Sequence, residues 1–515
     1  MIHPAGPALT LPSVSLIAAL ASFAALQFAA FQIAGGAFQY PLDDPYIHMA
    51  IAEQMRAGGY GVNAGEDAAA ASSVLYPALL IPFAGEAAQR FMPLVWNGVG
   101  LGLAAYLWGR ILWRAGYGDS RVGLLLALAG PIALHMVGLA FTGMEHALHL
   151  AASLAIVLGL MRFLDDGRIA PVLLAGVLCA PLLRFEGLAL ALLAAGLVTL
   201  RGRFGAGAGL AALAVGPIVA FSFYLMALGL DPMPSSITAK LSTDQAAGSG
   251  LAGMLGARLQ GLAERPQQIL AGFLLAAVAL FAFRGVRASN RGWLLGVVIL
   301  AGGAHMLVAK FGWMDRYEIY ILATVAAGSL VAARVAERPL AVLLPVAAMG
   351  GAAIFYTPSL LNHYPYAPRA IELQQAQMAR FAKDFLKDPV AVNDLGLVAW
   401  RNPDYVLDLW GLANHEARQL RLQGDQGQWP DRLATARGVE FAMVYTRWFP
   451  QGLGADWVPL GKLQMQVYGK YLGAHDVQFY LTDPIDPAPY LTLLADWQAG
   501  LPTGVVFDFA EGLDG

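Results

Sequence analysis

Charge is what this chain has least of. Only 13 % of its 515 residues are Asp, Glu, Lys or Arg, against about 25 % in a soluble globular domain. That shortfall excludes an ordinary water-soluble protein, and a mean hydropathy of +0.57 indicates a chain solvated largely by lipid. The net charge of −3 contains no basic excess, so no nucleic-acid partner is expected. Cysteine is nearly absent. Cys179 stands alone in an apolar run, which excludes a disulfide framework and a cysteine-based metal cluster. No internal repeat is visible, and charges are missing from the middles of the apolar runs, where secondary transporters usually carry them. The N-terminal stretch has no Lys or Arg before the first apolar run. That run is also too long for a secretion signal and has no clear cleavage site, so an uncleaved anchor is expected.

Apolar sequence is plentiful. Stretches long enough to span lie at 12–34, 91–113, 121–141, 146–163, 169–183, 186–200, 206–229, 266–284, 292–310, 317–333 and 338–356. A crossing helix needs roughly 17–25 residues, which makes 169–183 and 186–200 marginal. They are either a short pair or one element broken around Arg184 and Glu186. The segment 74–85 is too short to cross and is expected to lie at the interface or re-enter. The fold class is therefore mainly α: a polytopic membrane protein of about eleven transmembrane helices over 1–356.

Arginine placement gives the orientation. The connections carrying Arg110, Arg114 and Arg121, then Arg162 and Arg168, Arg201 and Arg203, Arg284, Arg287 and Arg291, and Arg334 and Arg338 share one side if the spans alternate. Positive residues favour the cytoplasm, so the opposite loops face outward. The tail 357–515 faces outward with them. Polar residues return there, and Val390-Ala391-Val392, Tyr405-Val406-Leu407, 441–445 and 477–481 read as short strands, with helices at 367–387 and 430–437. That alternation predicts a small extracytoplasmic α/β domain.

Five polar clusters fall on the outer side. The first is Asp43-Asp44-Pro45 with His48 and Glu53, where Asp44 and His48 would share one helical face. The others are 142–146 around Glu145, 183–187 with Arg184 and Glu186, 232–240 ending on Lys240, and 313–317 with Arg316 and Tyr317. Adjacent carboxylates at a membrane exit are costly unless they sit in water or build a site, and the Asp pair is read as catalytic. A carboxylate can accept the proton of an attacking hydroxyl. A guanidinium or ammonium can stabilise the charge on a departing phosphate. Plainer roles compete: one Asp as a helix N-cap, an Arg184–Glu186 pair, Arg316 pairing with Asp315 or Glu318, and Tyr317 as an interfacial ring. His48 beside Asp44 leaves a metal open, since two residues do not define a site.

Several motifs together resemble the GT-C superfamily of polytopic glycosyltransferases, which use polyprenyl-phosphate sugars. They are Leu42-Asp43-Asp44-Pro45-Tyr46-Ile47-His48 with 60–66, 72–77, Gly143-Met144-Glu145, Arg184-Phe185-Glu186-Gly187, Pro234-Ser235-Ser236 through Lys240, and in the tail 392–396 and 406–412. The Asp-Asp and tail motifs are similar to those of bacterial cell-envelope members, including mycobacterial arabinofuranosyltransferases. Phe185 and Ser235-Ser236 depart from the usual pattern without removing a charge.

The resemblance implies an inner-membrane enzyme that moves a sugar from a polyprenyl-phosphate donor to a glycan or lipid acceptor hydroxyl, with inversion. It further implies an outer-loop Asp as general base, Asp43 first and Asp44 as its understudy, and Glu145 as a second acid. Arg184, Lys240 and Arg316 are implied at the donor phosphate; His48, Glu186 and Tyr317 are taken beside them as further substrate-binding candidates. No cofactor is assigned, and a divalent cation is left open. A multi-span transporter, a lipid-linked oligosaccharide ligase and a non-catalytic envelope-assembly protein are the alternatives.

Overall fold

The computed structural model describes residues 10–235, 260–261, 263–336, 338–423, 428–467 and 469–513. Every apolar segment read from the sequence forms a helix. In chain order the longer ones are Leu11–Ile33, Met92–Leu112, Arg121–Ala133 continued by Met136–Phe141, His146–Asp166, Phe204–Ala227, Asn290–Val308 and Leu343–Asn362. Among the described residues seven helical stretches are long and apolar enough to cross a membrane. The four shorter helices, Pro171–Leu183, Gly187–Leu200, Arg265–Phe281 and Ile319–Ala333, fall below that length. Seven is therefore the count that length supports, against the eleven expected. Pro171–Leu183 stops because the backbone turns extended at Arg184, whose side chain is recruited elsewhere.

His146–Asp166 is the central helix, 89 % buried over its most apolar window. Small residues let its neighbours approach closely, as expected where apolar burial alone gives no driving force. A Cβ on Gly159 would meet Leu173 at 2.5 Å, and one on Gly176 would meet the Ala152 carbonyl at 2.8 Å.

The arginine-rich connections meet at one end of the bundle. Arg114 and Arg291 both bind Asp165, at 2.9 and 3.0 Å. Arg201 donates to Asn290 (3.2 Å), Arg203 to the Gly167 carbonyl (3.1 Å) and Arg334 to the Gly116 carbonyl (3.0 Å). The acidic loops and the C-terminal sheet occupy the other end. The stretch 74–85 does not cross. It holds only the short helix Tyr76–Leu79, with the Val74 and Leu75 N–H groups bound to the Leu182 carbonyl.

Leu343–Asn362 runs past residue 357, and the sheet domain follows. Its strands are β1 (Val390–Val392), β2 (Val406–Asp408), β3 (Phe441–Val444), β4 (Val458–Met465), β5 (Asp476–Leu481) and β6 (Val505–Phe509), in the order β2-β1-β3-β5-β4-β6. The β2-β1-β3 pairs are parallel and the rest antiparallel. Four strands match the sequence reading. β4 and β6, with helices His415–Gln423 and Ala488–Gln498, were not foreseen. The helix expected at 367–387 is broken at Gln374 and ends in a wide π turn, Phe381–Leu386. Phe381, Phe441, Phe479, Trp497 and Phe507 interlock beneath the sheet.

The loop that follows Leu11–Ile33 ties the two parts together. Asn63 donates to the Val406 carbonyl and accepts from the Val406 N–H, both at 2.9 Å, which satisfies the open edge of β2. Trp400 donates to Gln89 at 2.8 Å, and Gln39 to Glu372 at 2.7 Å.

Candidate functional site

Helix Asp44–Ala57 begins directly after the first long helix, with Pro45 in its first turn. Asp43 was expected either to act chemically or to cap this helix. It makes no side-chain cap there. Instead its carboxylate accepts the N–H groups of Gly396 and of Leu397 (2.8 Å), at the start of a short helix in the sheet domain. A Cβ on Gly396 would lie 2.2 Å from the Asp43 carbonyl oxygen, so only glycine permits this approach. Asp43 also faces Asp394 in hydrogen-bonding contact. Burial, then the Asp394 carboxylate, pushes Asp43 well above the usual carboxylate range. Burial likewise raises Asp394, against hydrogen bonds from Gln375 and Tyr445. Each carboxyl thus favours its protonated form, and two acids in contact do not ionise independently.

Asp44 points elsewhere. It is one-third exposed and accepts from Arg316 Nη1 at 2.9 Å. Arg316 therefore pairs with neither Asp315 nor Glu318. Asp44 lines two adjoining cavities. The first, about 380 Å³, is walled by Asp44, His48, Ser72, Arg184, Lys310, Arg316, Tyr317, Trp410 and Arg421. Four of these side chains are cationic and one is a carboxylate. Tyr317 stands between two guanidinium groups, with Arg184 5.3 Å and Arg316 5.2 Å from its ring centre, and its hydroxyl accepts from Arg316 at 3.2 Å.

Glu145 is fully buried and does not line the cavity. It accepts from Arg184 Nη1 (2.9 Å) and the Ser72 hydroxyl (2.8 Å), with His48 Nε2 3.7 Å away. Glu186 accepts from the other side of the same guanidinium at 2.6 and 3.2 Å. Arg184 is thus clamped between two carboxylates, a geometry that offsets its burial. Burial, opposed by Glu145, lowers the His48 pKa and keeps the imidazole neutral.

The second cavity, about 170 Å³, is shared between Asp43, Asp44, Ile47 and Trp313 from the membrane part and Gln375, Asn393, Asp394, Trp410, Leu412, Trp448 and Tyr471 from the tail. Trp410 and Leu412 border both cavities. Their loop is held by Asp408, which accepts the N–H groups of Trp410 (2.8 Å) and Ala413 (2.7 Å). Trp313 sits in a turn where Gly312, Trp313, Met314 and Asp315 all have positive φ. Such a run costs each non-glycine residue about 1–2 kcal/mol. It is braced by the Gly312 N–H on Glu318 (3.0 Å) and the Tyr364 hydroxyl on the Met314 carbonyl (2.7 Å).

Asp43, Asp44, His48, Glu145, Arg184, Glu186, Arg316 and Tyr317 therefore form one connected cluster, although they come from four separate stretches of chain. Lys240 lies outside the described residues. Sequence reading missed Lys310, Arg421 and Gln375, and gave no site role to Asn393 and Trp410, which lie in the tail motifs 392–396 and 406–412. Lys310 had a signal, as a lone cation ending an apolar helix. Asn393 and Trp410 had their tail motifs as a signal; Gln375 and Arg421 had none, because only the fold brings them to Asp44. Among the described residues no group of three or more His, Cys, Asp or Glu could hold a metal ion.

A family model described as Domain of unknown function (DUF8728) matches residues 367–480. That range covers β1 to nearly the end of β5, with Gln375, Asn393, Asp394, Trp410 and Trp448. No curated protein matches the chain.

Proposed function

We propose that the protein is an integral-membrane glycosyltransferase that moves a sugar from a polyprenyl-phosphate donor to an acceptor hydroxyl. The observation that carries this reading is the position of Asp44, the carboxylate that borders both a cation-walled cavity and an acid- and aromatic-walled one. The donor phosphate sits among Arg184, Arg316, Lys310 and Arg421. Asp44 takes the proton of the acceptor hydroxyl, whose oxygen forms the new bond to the anomeric carbon. The bond from that carbon to the phosphate oxygen breaks, and polyprenyl phosphate leaves with its electron pair, balanced by the guanidinium groups. A single displacement inverts the anomeric centre.

Asp43 takes a different part in this scheme, because its oxygens are committed to the sheet domain. It positions; Asp44 reacts. Glu145 and Glu186 hold Arg184 in place, and Tyr317 sets the spacing of the two arginines.

Eleven crossings fit the chain path. Pro171–Leu183 and Gly187–Leu200 each lead between the arginine-rich end and the Arg184 cluster, reaching about 20 Å at 1.5 Å per residue. Such a short pair fits where the bilayer thins beside the site. The arginine-rich end then faces the cytoplasm and the site faces outward.

The test is mass spectrometry of envelope glycans from a strain lacking the gene. The reading expects one sugar to be lost, restored by the wild-type gene and not by one encoding Asp44→Asn. An unchanged glycan profile in the deletion strain would overturn it.

A further inference from the structure

Independently of the reaction at Asp44, we infer that the arginine-rich end of the bundle binds anionic phospholipid, one molecule in each of two apolar grooves that open there between helices. The first groove, about 500 Å³, runs between Gly187–Leu200 and Asn290–Val308. Its walls include Leu193, Leu197, Phe281, Val297 and Leu300, and Leu300 is 60 % exposed. From Leu200 to Leu192 the groove extends about 12 Å, at 1.5 Å per residue. Gly196 and Gly296 leave it open, since a Cβ on either would meet nothing within 4 Å. Arg287 lines its end, and Arg201 lies 5.9 Å from the ring centre of Trp293, which lines it too. The second groove, about 550 Å³, repeats this construction between Arg121–Ala133 and Leu343–Asn362. Leu125, Leu126, Val346 and Met349 wall it, and a Cβ on Gly350 would again meet open space. From Val122 to Ala133 it extends about 16 Å. Arg334 lines its end, 5.0 Å from the ring centre of Tyr117.

Charge selects the occupant. The connections 110–121, 162–168, 201–203, 284–291 and 334–338 carry twelve arginines, no lysine and four carboxylates, Asp119, Asp165, Asp166 and Glu337. Asp165 and Asp166 are already taken by Arg114 and Arg291. Neither groove has a carboxylate on its lining. Arg287 is exposed and has no carboxylate partner among the described residues. The apolar walls accept an acyl chain from any phospholipid. The uncompensated guanidinium groups at the mouth distinguish a lipid whose head group is anionic, because they meet its phosphate without a competing positive charge. Basic pockets between spanning helices at a membrane face bind such head groups. A polyprenyl phosphate held at Arg184 lies at the opposite end of the bundle. A helix from another protein would cover the apolar walls and leave the arginines without an anion.

The test is native mass spectrometry of the full-length protein in detergent, titrated with phosphatidylglycerol or with phosphatidylcholine of the same acyl chains. The wild type should retain two phosphatidylglycerol molecules and bind them at least about fivefold more tightly than phosphatidylcholine, the factor that one arginine near a membrane surface supplies. Gly296→Leu and Gly350→Leu fill the grooves from positions with room for a side chain, so folding is not at stake. Each should remove one molecule, and together they should remove both. Arg287→Gln should weaken the first site about fivefold and spare the second. Arg184→Met, at the other end, should change neither. Equal affinity for the two lipids, or wild-type retention in the doubly filled variant, would overturn the inference. A dimer of the protein that the doubly filled variant abolishes would overturn it as well, by making a second copy of the chain the occupant.

Discussion

Asp43 and Asp44 are neighbours with opposite surroundings, and that contrast organises the site. Asp43 is 6 % exposed, bound to two backbone N–H groups and set against Asp394. Asp44 is one-third exposed and meets a single arginine. No local feature of Asp-Asp-Pro separates them, because the partner of Asp43 lies 353 residues away. The cluster itself was legible, since charged residues flanking apolar runs are few. The division of labour inside it was not. A pH dependence follows from the pair. Burial raises both carboxyls above their ordinary range, so the folded state prefers the protonated form. The stability this contributes is present below the unfolded carboxylate pKa and is lost as pH climbs through the raised value. Thermal unfolding at a series of pH values should show the melting temperature falling over that window. Asp43→Asn, neutral at every pH and able to donate to Asp394, should flatten the fall. An identical slope in the variant would remove this pair from the account.

At the scale of elements, two close fits hold the site. Gly396 lets the sheet domain rest against Asp43, and a methyl group there has no room. Gly396→Ala should destabilise the docked domain by about 1–3 kcal/mol, as overpacking does. The measurement is denaturant unfolding alongside protease sensitivity of the 357–390 junction, and an unaltered midpoint would contradict the close approach. The second fit is the left-handed turn before Arg316. Tyr364→Phe removes the hydroxyl that braces Met314. It should cut sugar transfer several-fold by loosening Trp313 and Arg316, with bulk stability changed by about 1 kcal/mol; wild-type turnover would show the brace to be idle. Strands β1, β2, β3 and β5 were readable as compact apolar runs. β4 was hidden because Pro459, Gly461 and Lys462 interrupt its pattern, and its pairing shifts between Pro459 and Gly461. The broken helix after Ala367 was hidden because Gln374 and Gln375 turn inward to bond the Tyr445 hydroxyl, against the polarity that would place them outside.

At the scale of the whole molecule, the apolar pattern indicated where helices run, while length alone could not say which of them cross. The arginine-rich connections converge at one end and the acidic loops at the other, so sidedness is open to direct test. In a Cys179→Ser background, a cysteine at Asp456 should react with an impermeant maleimide from outside intact cells. One at Arg168 should react only after lysis. Labelling of Arg168→Cys from outside would invert the topology and with it the proposed function. The central claim, that Asp44 is the base between a phosphate cavity and an acceptor cavity, is tested most directly by the rate of sugar transfer with purified protein and a polyprenyl-phosphate-linked donor. Asn at this position still accepts from Arg316, so Asp44→Asn should melt like the wild type and transfer about 10²–10⁴-fold more slowly. Transfer at the wild-type rate by that variant would contradict the account.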